Sequence, residues 1–194
     1  LTPQNGTTRT LRYAITTASN GGEQQINCNS TLTTGNWHQV AVTLSAITGI
    51  LYLDGAPVGT NIAMTLNPSS LGRTSNNYLG KSQWPDPYLD GQIDEFRIYS
   101  VALSASEIAA TYALGPDELL STNSPPINME MTSSGFMLSW PLASAGFTLQ
   151  SRTNLTEGNW VNVTSPIPVI VGSRWQFVIP ASSDSNSMFY RLIK

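Results

Sequence analysis

Short alternations of apolar and polar residues recur along the chain, each broken by turn residues. In residues 10–16, Leu11, Tyr13 and Ile15 alternate with Arg12 and Ala14, the period-two signature of a half-buried strand. Gly21-Gly22 interrupts it, and residues 23–28 form a weaker strand. Residues 37–44 are stronger, with Val40, Val42 and Leu44 on one face. The run 50–53 is followed by Asp54-Gly55 and then by 56–58. An Asp-Gly pair between apolar strands predicts a tight hairpin, because both residues tolerate positive φ. Residues 64–75 read as a loop, and 77–82 and 91–99 as two further strands. The connector 83–90 contains Pro85 and Pro87, which deny it ladder hydrogen bonds and place it at the surface.

A single helix is signalled after these strands. Ser104 and Glu107 have capping-box spacing, Leu103, Ile108 and Tyr112 supply an apolar stripe, and Gly115-Pro116 ends it. A helix in this position is expected to plug an edge of the preceding sandwich. Residues 116–126, rich in Ser, Thr, Asn and Pro, read as a linker. Alternation then resumes through Phe136, Leu138 and Trp140, through Phe147 and Leu149, and through 160–163, with a hairpin at Gly172-Ser173 and a closing strand at 189–193. The expected organisation is all-β: an antiparallel jelly-roll β-sandwich with one short helix over 1–115, a linker over 116–126, and a second, smaller β-domain over 127–194. The two units are expected to fold separately. Trp37, Trp140, Trp160 and Trp175 stand in alternating runs and are expected in the cores.

Composition narrows the possible functions. Only 11% of residues are charged, and the net charge of −3 comes with basic residues scattered singly. That offers no footprint for nucleic acid or for an anionic membrane surface. The lone Cys28 excludes an internal disulfide and a thiolate metal site. His38, the sole histidine, reads as a strand histidine satisfied by its neighbours.

Three blocks in order resemble the laminin-G-like jelly-roll (concanavalin A-like lectin/glucanase) family. They are residues 35–43 (Gly-Asn-Trp-His-Gln-Val-Ala-Val-Thr), 51–55 (Leu-Tyr-Leu-Asp-Gly) and 90–99 (Asp-Gly-Gln-Ile-Asp-Glu-Phe-Arg-Ile-Tyr), the last followed by Ala102-Leu103-Ser104. The resemblance implies a two-sheet sandwich, commonly a module of secreted or cell-surface bacterial glycoside hydrolases and polysaccharide lyases. It also implies strands preceding Leu1, so the expected partner is the N-terminal remainder of the same protein or another chain covering an exposed sheet edge. The second unit resembles small immunoglobulin-like or fibronectin-III-like C-terminal modules through residues 146–150, Asn159-Trp160 and 189–192.

Candidate chemistry is sparse. Asp86, Asp90, Asp94 and Glu95 are the acids that cluster. Adjacent strand residues face opposite ways, so Asp94 and Glu95 do not make a glycosidase pair, and no catalytic residue is expected. The family resemblance implies a structural calcium ion at Asp94, with Asp90 nearby; the alternative is that Asp94 accepts backbone hydrogen bonds at a strand entrance. Polysaccharide or oligosaccharide contact is expected at Trp84 and Tyr88 in the proline-stiffened loop, with Tyr78 and Gln83 beside them, because aromatic faces match sugar rings and amides read hydroxyls. The competing reading folds Trp84 and Tyr88 back over the sandwich. Two functions follow: a non-catalytic carbohydrate-binding or substrate-positioning module of a secreted bacterial polysaccharide-degrading enzyme, or a structural and adhesive module without a glycan.

Overall fold

The alternating runs of the first unit become paired strands that share one core. In the computed structural model, residues 1–18, 21–133, 135–180 and 187–194 are described. Strand β1 (Arg12–Ile15) pairs antiparallel with β2 (Gln24–Asn27), Tyr13 opposite Ile26. Strands β3 (Val40–Ser45), β4 (Thr48–Leu53) and β5 (Ala56–Asn61) form a three-stranded antiparallel sheet with β4 at its centre. Between β4 and β5, Asp54 and Gly55 take φ of 51° and 79°, the left-handed pair that the hairpin required.

The two sheets bury their inner faces against each other. Leu11, Ile15, Ile26, Cys28, Leu51 and Met64 form the buried cluster, flanked by Val40, Val42, Leu44 and Val58. Glycine sets how closely the sheets approach. A β-carbon on Gly49 would lie 2.7 Å from Ile26 Cδ1 and 2.8 Å from Met64 Cγ, and one on Gly59 would collide with the carbonyl oxygen of Asn27. The Gly59 collision is with backbone, which cannot swing aside. Polar side chains lace the same seam: Asn61 Nδ2 donates to Gln25 O at 2.8 Å, and Gln24 Oε1 accepts from the Leu66 amide at 2.8 Å.

Residues 62–104 depart from the sequence expectation. Apart from a 3₁₀ turn at Pro68–Leu71, no helix or strand forms there. Residues 77–82 and 91–99 run without ladder partners among the described strands. Alternation prepares the faces of a strand, but a strand also needs a neighbouring edge to satisfy its amides and carbonyls. Ile93, Phe96 and Ile98 consequently stand exposed.

The chain divides into two compact units, Leu1–Ala105 and Ser106–Lys194. Helix α1 (Ala105–Leu114) belongs from Ser106 onward to the second of them and packs there. Ala110 is fully buried with Leu142 and Ala145, and Leu114, Leu120, Ile170 and Trp175 pack around them. The small Ala110 and Ala145 allow this close approach, and Gly146 matches it, since a β-carbon there would strike the Glu107 carboxylate. The stretch read as a linker is partly recruited as well: Leu120 joins this cluster and the Ser121 amide donates to Ala143 O.

The second unit has two antiparallel sheets. Strands β6 (Asn128–Thr132), β7 (Gly135–Pro141), β10 (Val169–Val171) and β11 (Arg174–Pro180) form one, in the order β10-β11-β7-β6. Strands β8 (Thr148–Arg152), β9 (Val161–Asn162) and β12 (Phe189–Ile193) form the other, in the order β12-β8-β9. Leu138, Trp140 and Phe177 from the first sheet meet Leu149, Tyr190 and Leu192 from the second. The Phe177 and Tyr190 rings are 6.5 Å apart and tilted by 53°, an edge-biased geometry favoured by their quadrupoles. Gly172 supplies the positive φ of the expected β10–β11 hairpin.

Candidate functional site

The proline-stiffened loop of the first unit gathers aromatic rings around a cation. The Leu89 amide donates to Gly80 O at 2.8 Å, which closes the loop at its base. Within it, the Trp84 amide donates to Ser82 Oγ at 3.1 Å, a local turn that competes with any extended pairing. Tyr78 precedes the closure and Tyr88 lies just inside it. Lys81 Nζ sits 4.8 Å from the Tyr78 ring centroid and 5.9 Å from that of Tyr88, so both rings present their negative faces to one ammonium group. Tyr78, Trp84 and Tyr88 remain 48%, 52% and 71% exposed. These rings therefore do not fold back into the core. Gln83 is exposed in the same loop. Lys81 was not singled out from the sequence; its signal was a lysine between two tyrosines flanking a Pro-x-Pro loop.

A polar clip holds the segment before β3. Asp54 Oδ1 accepts from the Gln39 amide at 2.9 Å, and its Oδ2 lies 2.7 Å from His38 Nδ1. His38 Nε2 faces Thr33 Oγ1 at 2.8 Å and Thr33 O at 3.2 Å. The imidazole is thus anchored at both nitrogens, as expected of a histidine satisfied by its neighbours. A hydroxyl, an imidazole and a carboxylate in this order can serve nucleophilic catalysis. Here the carboxylate closes the hairpin mouth, since the Asp54 amide also donates to Gln39 O at 2.8 Å. Replacing Asp54 with alanine is expected to lower the stability of the first unit by about 1–3 kcal/mol, because a partly buried amide and the imidazole lose their acceptor. A urea titration of wild type and D54A measures it. Trp37, expected in the core, is instead 64% exposed, three residues before β3 begins at Val40.

Comparison with known proteins bears on this unit. Residues 3–109, more than half of the chain, match the family model described as concanavalin A-like lectin/glucanases superfamily. The chain belongs to that superfamily. A crystal structure of an S-layer domain-containing protein from Clostridium thermocellum is 45% identical over the part aligned with this concanavalin A-like chain, at a TM-score of 0.37. The alignment covers 50% of this chain and 49% of that one, so about half the length of each is spanned. No curated protein matches the sequence.

In this concanavalin A-like unit the acids expected near a cation lie at the surface. Asp90 and Asp94 are both exposed, and among the described residues no group of three or more His, Cys, Asp or Glu side chains comes together. Calcium takes six to eight oxygens, backbone carbonyls among them, and the two exposed carboxylates are not joined by a third ligating side chain among the described residues. Glu95 is ion-paired with Arg97 Nη2, and that bond raises the already high Arg97 pKa further. Among the described residues, no helix is long and apolar enough to cross a membrane.

The second unit contains two further features. An open depression of about 420 Å³ is lined by Leu114, Glu118, Leu142 and Arg174 among others. The Arg174 guanidinium donates to Ser139 Oγ at 3.1 Å and to Ser139 O at 3.0 Å, which commits it to its own sheet. Trp160, expected in the core, instead lies half-buried beneath two guanidinium groups, 5.3 Å from Arg152 Cζ and 4.4 Å from Arg191 Cζ. Its neighbours Val161 and Val163 alternate with it, and Val163 takes the core side.

Proposed function

We propose that the chain is a non-catalytic carbohydrate-binding or substrate-positioning module of a secreted bacterial polysaccharide-degrading enzyme, with the loop around Tyr78, Lys81, Trp84 and Tyr88 as its glycan contact. One observation carries the reading: three aromatic rings stay largely in water on a loop closed at its base and stiffened by two prolines. Exposed rings of this kind gain by covering the apolar face of a sugar ring, and the stiff loop limits the entropy lost on binding. Lys81 and Gln83 supply hydrogen-bond donors for hydroxyls at the same place. Membership of a superfamily described by lectins and glucanases agrees with this reading.

Affinity electrophoresis against a panel of neutral and acidic polysaccharides tests it. At least one polymer should retard the chain, and Y88A and W84A should each weaken that retardation about tenfold, the loss of roughly 1.4 kcal/mol of stacking. Wild-type retardation of both variants would remove the loop from the site, and migration unaffected by every polymer would end the reading.

A second reading, a structural or adhesive module without a glycan, is favoured by a different observation. Phe96, Ile98 and Val101 are 62%, 84% and 69% exposed in a stretch without ladder partners among the described residues. Bare apolar side chains close together along one stretch suit the edge of another polypeptide. Light scattering after size exclusion distinguishes the two, since this reading expects a larger species that F96E/I98E disperses.

A further inference from the structure

The outer face of the β12-β8-β9 sheet displays a built arrangement of cations and amides. Alternation explains how they come together. Leu149, Tyr190, Leu192 and Val163 point into the core, so the residues between them, Gln150, Arg152, Arg191 and Asn162, share the opposite face. Register tightens the group: Arg191 is paired with Gln150, and Gln150 with Asn162. Trp160, two residues before Asn162, adds its ring beneath both guanidinium groups.

The hydrogen bonds on this face run in one direction. Arg191 Nε donates to Gln150 Oε1 at 2.9 Å, and Gln150 Nε2 donates to Asn162 Oδ1 at 2.8 Å. Each amide oxygen thereby accepts one bond inside the relay. What remains outward is donors: the Nη groups of Arg191 and the Nδ2 of the exposed Asn162. Arg152 Nη2 donates to the backbone oxygen of Glu157 at 2.8 Å, and Arg152 Nε is buried without an acceptor. Neither guanidinium is ion-paired with a carboxylate among the described residues. Cation–π contact with the indole restrains the two guanidinium groups, which reduces the rotamer freedom lost when they bind.

A surface that offers outward donors and two positive charges calls for a ligand rich in acceptor oxygen and negative charge. We propose that this face binds an acidic polysaccharide, whose sugar rings carry carboxylate or sulfate groups. The amides and indole edge suit ring hydroxyls, and a sheet face suits an extended polymer. Nucleic acid is disfavoured, since two guanidiniums on a chain of net charge −3 are too few to track a phosphate backbone. This site is separate in sequence from the aromatic loop of the first unit and does not depend on it.

Affinity electrophoresis of the full chain through gels holding polygalacturonate, its methyl ester, heparin or duplex DNA tests the proposal. Polygalacturonate or heparin should retard the chain at least about tenfold more strongly than the methyl ester, and salt should weaken the effect. Retardation by polygalacturonate identifies carboxylate as sufficient, whereas heparin acting where polygalacturonate does not identifies sulfate, since heparin carries both groups. R152Q and R191Q should each remove most of that preference, with circular dichroism melts showing that the second unit still folds. Should either fail to fold, N162D places a carboxylate at the exposed end of the relay and should also lose about tenfold. Equal retardation by the methyl ester, by duplex DNA, or of wild type and N162D would each overturn the proposal, as would no retardation by either acidic glycan.

Discussion

Leu51→Ala is expected to lower the unfolding free energy of the first unit by about 3–5 kcal/mol, the range for truncating a leucine where the cavity cannot collapse. Leu51 is fully buried in β4, the central strand of its sheet, opposite Val42 on one side and Gly59 on the other. It packs in one cluster with Leu11, Ile15 and Ile26 from the facing layer and with Met64, which follows β5. Collapse into the vacated space is blocked from both directions. The backbone of Asn27 already touches the site of a Gly59 β-carbon, and Gly49 is closed in by Ile26 and Met64. A loss of this size should shift the thermal midpoint by more than about 10 °C in a unit of roughly 100 residues. Leu51→Met, which conserves volume, should cost less than about 1.5 kcal/mol. A melt of L51A within a degree or two of wild type would mean that the two sheets do not share this core.

Trp140→Ala should act on the second unit with comparable force, about 3–5 kcal/mol. Trp140 is 2% exposed in β7, the strand that β6 and β11 flank, and its cross-strand partner is Trp175. Its ring belongs to the cluster where Leu138 and Phe177 meet Leu149 of the other sheet. Removing it opens the centre of the unit, and β7, paired on both sides, cannot shift to close the gap. Trp37→Ala provides the contrast. With 64% of its surface in water, Trp37 should contribute within about 0.5 kcal/mol. Chemical denaturation followed by far-ultraviolet circular dichroism reads both variants; similar losses from the two tryptophans would contradict the burial difference that separates them.

How much of this was legible beforehand depended on whether the signal was local. The Asp54-Gly55 hairpin could be read because positive φ at consecutive residues is a property of those two residues and of the twist they must match. Strands β1, β3 and β4 could be read because Leu11-Tyr13-Ile15, Val40-Val42-Leu44 and the run after Ile50 each commit one face to burial. The core side of the second unit was equally open to reading, and so was the outward face of Trp160: it shares its face with Asn162, while Val163 falls on the other side. Weighing tryptophan by type instead of by parity hid that.

Other outcomes could not be decided from any local window. Residues 91–99 have as good an alternation as β3, yet a ladder requires a second edge within reach, and period-two sequence says nothing about who supplies it. The helix after Ser104 was correctly expected as a helix, but its neighbours were not. An amphipathic stripe states that one face must be covered, and only the fit of Ala110 against Leu142 and Ala145 selects the second unit. The gathering of Tyr78 and Tyr88 over Lys81 arises from a loop closed by one backbone hydrogen bond. For this protein, then, the sequence by itself determined the all-β character, the turns and the inward face of most strands, because these follow from backbone preference and from which residues avoid water. Tertiary structure alone decided which strands found partners, where the helix docked, and which charged and aromatic groups meet, because each depends on surfaces contributed by residues far away along the chain.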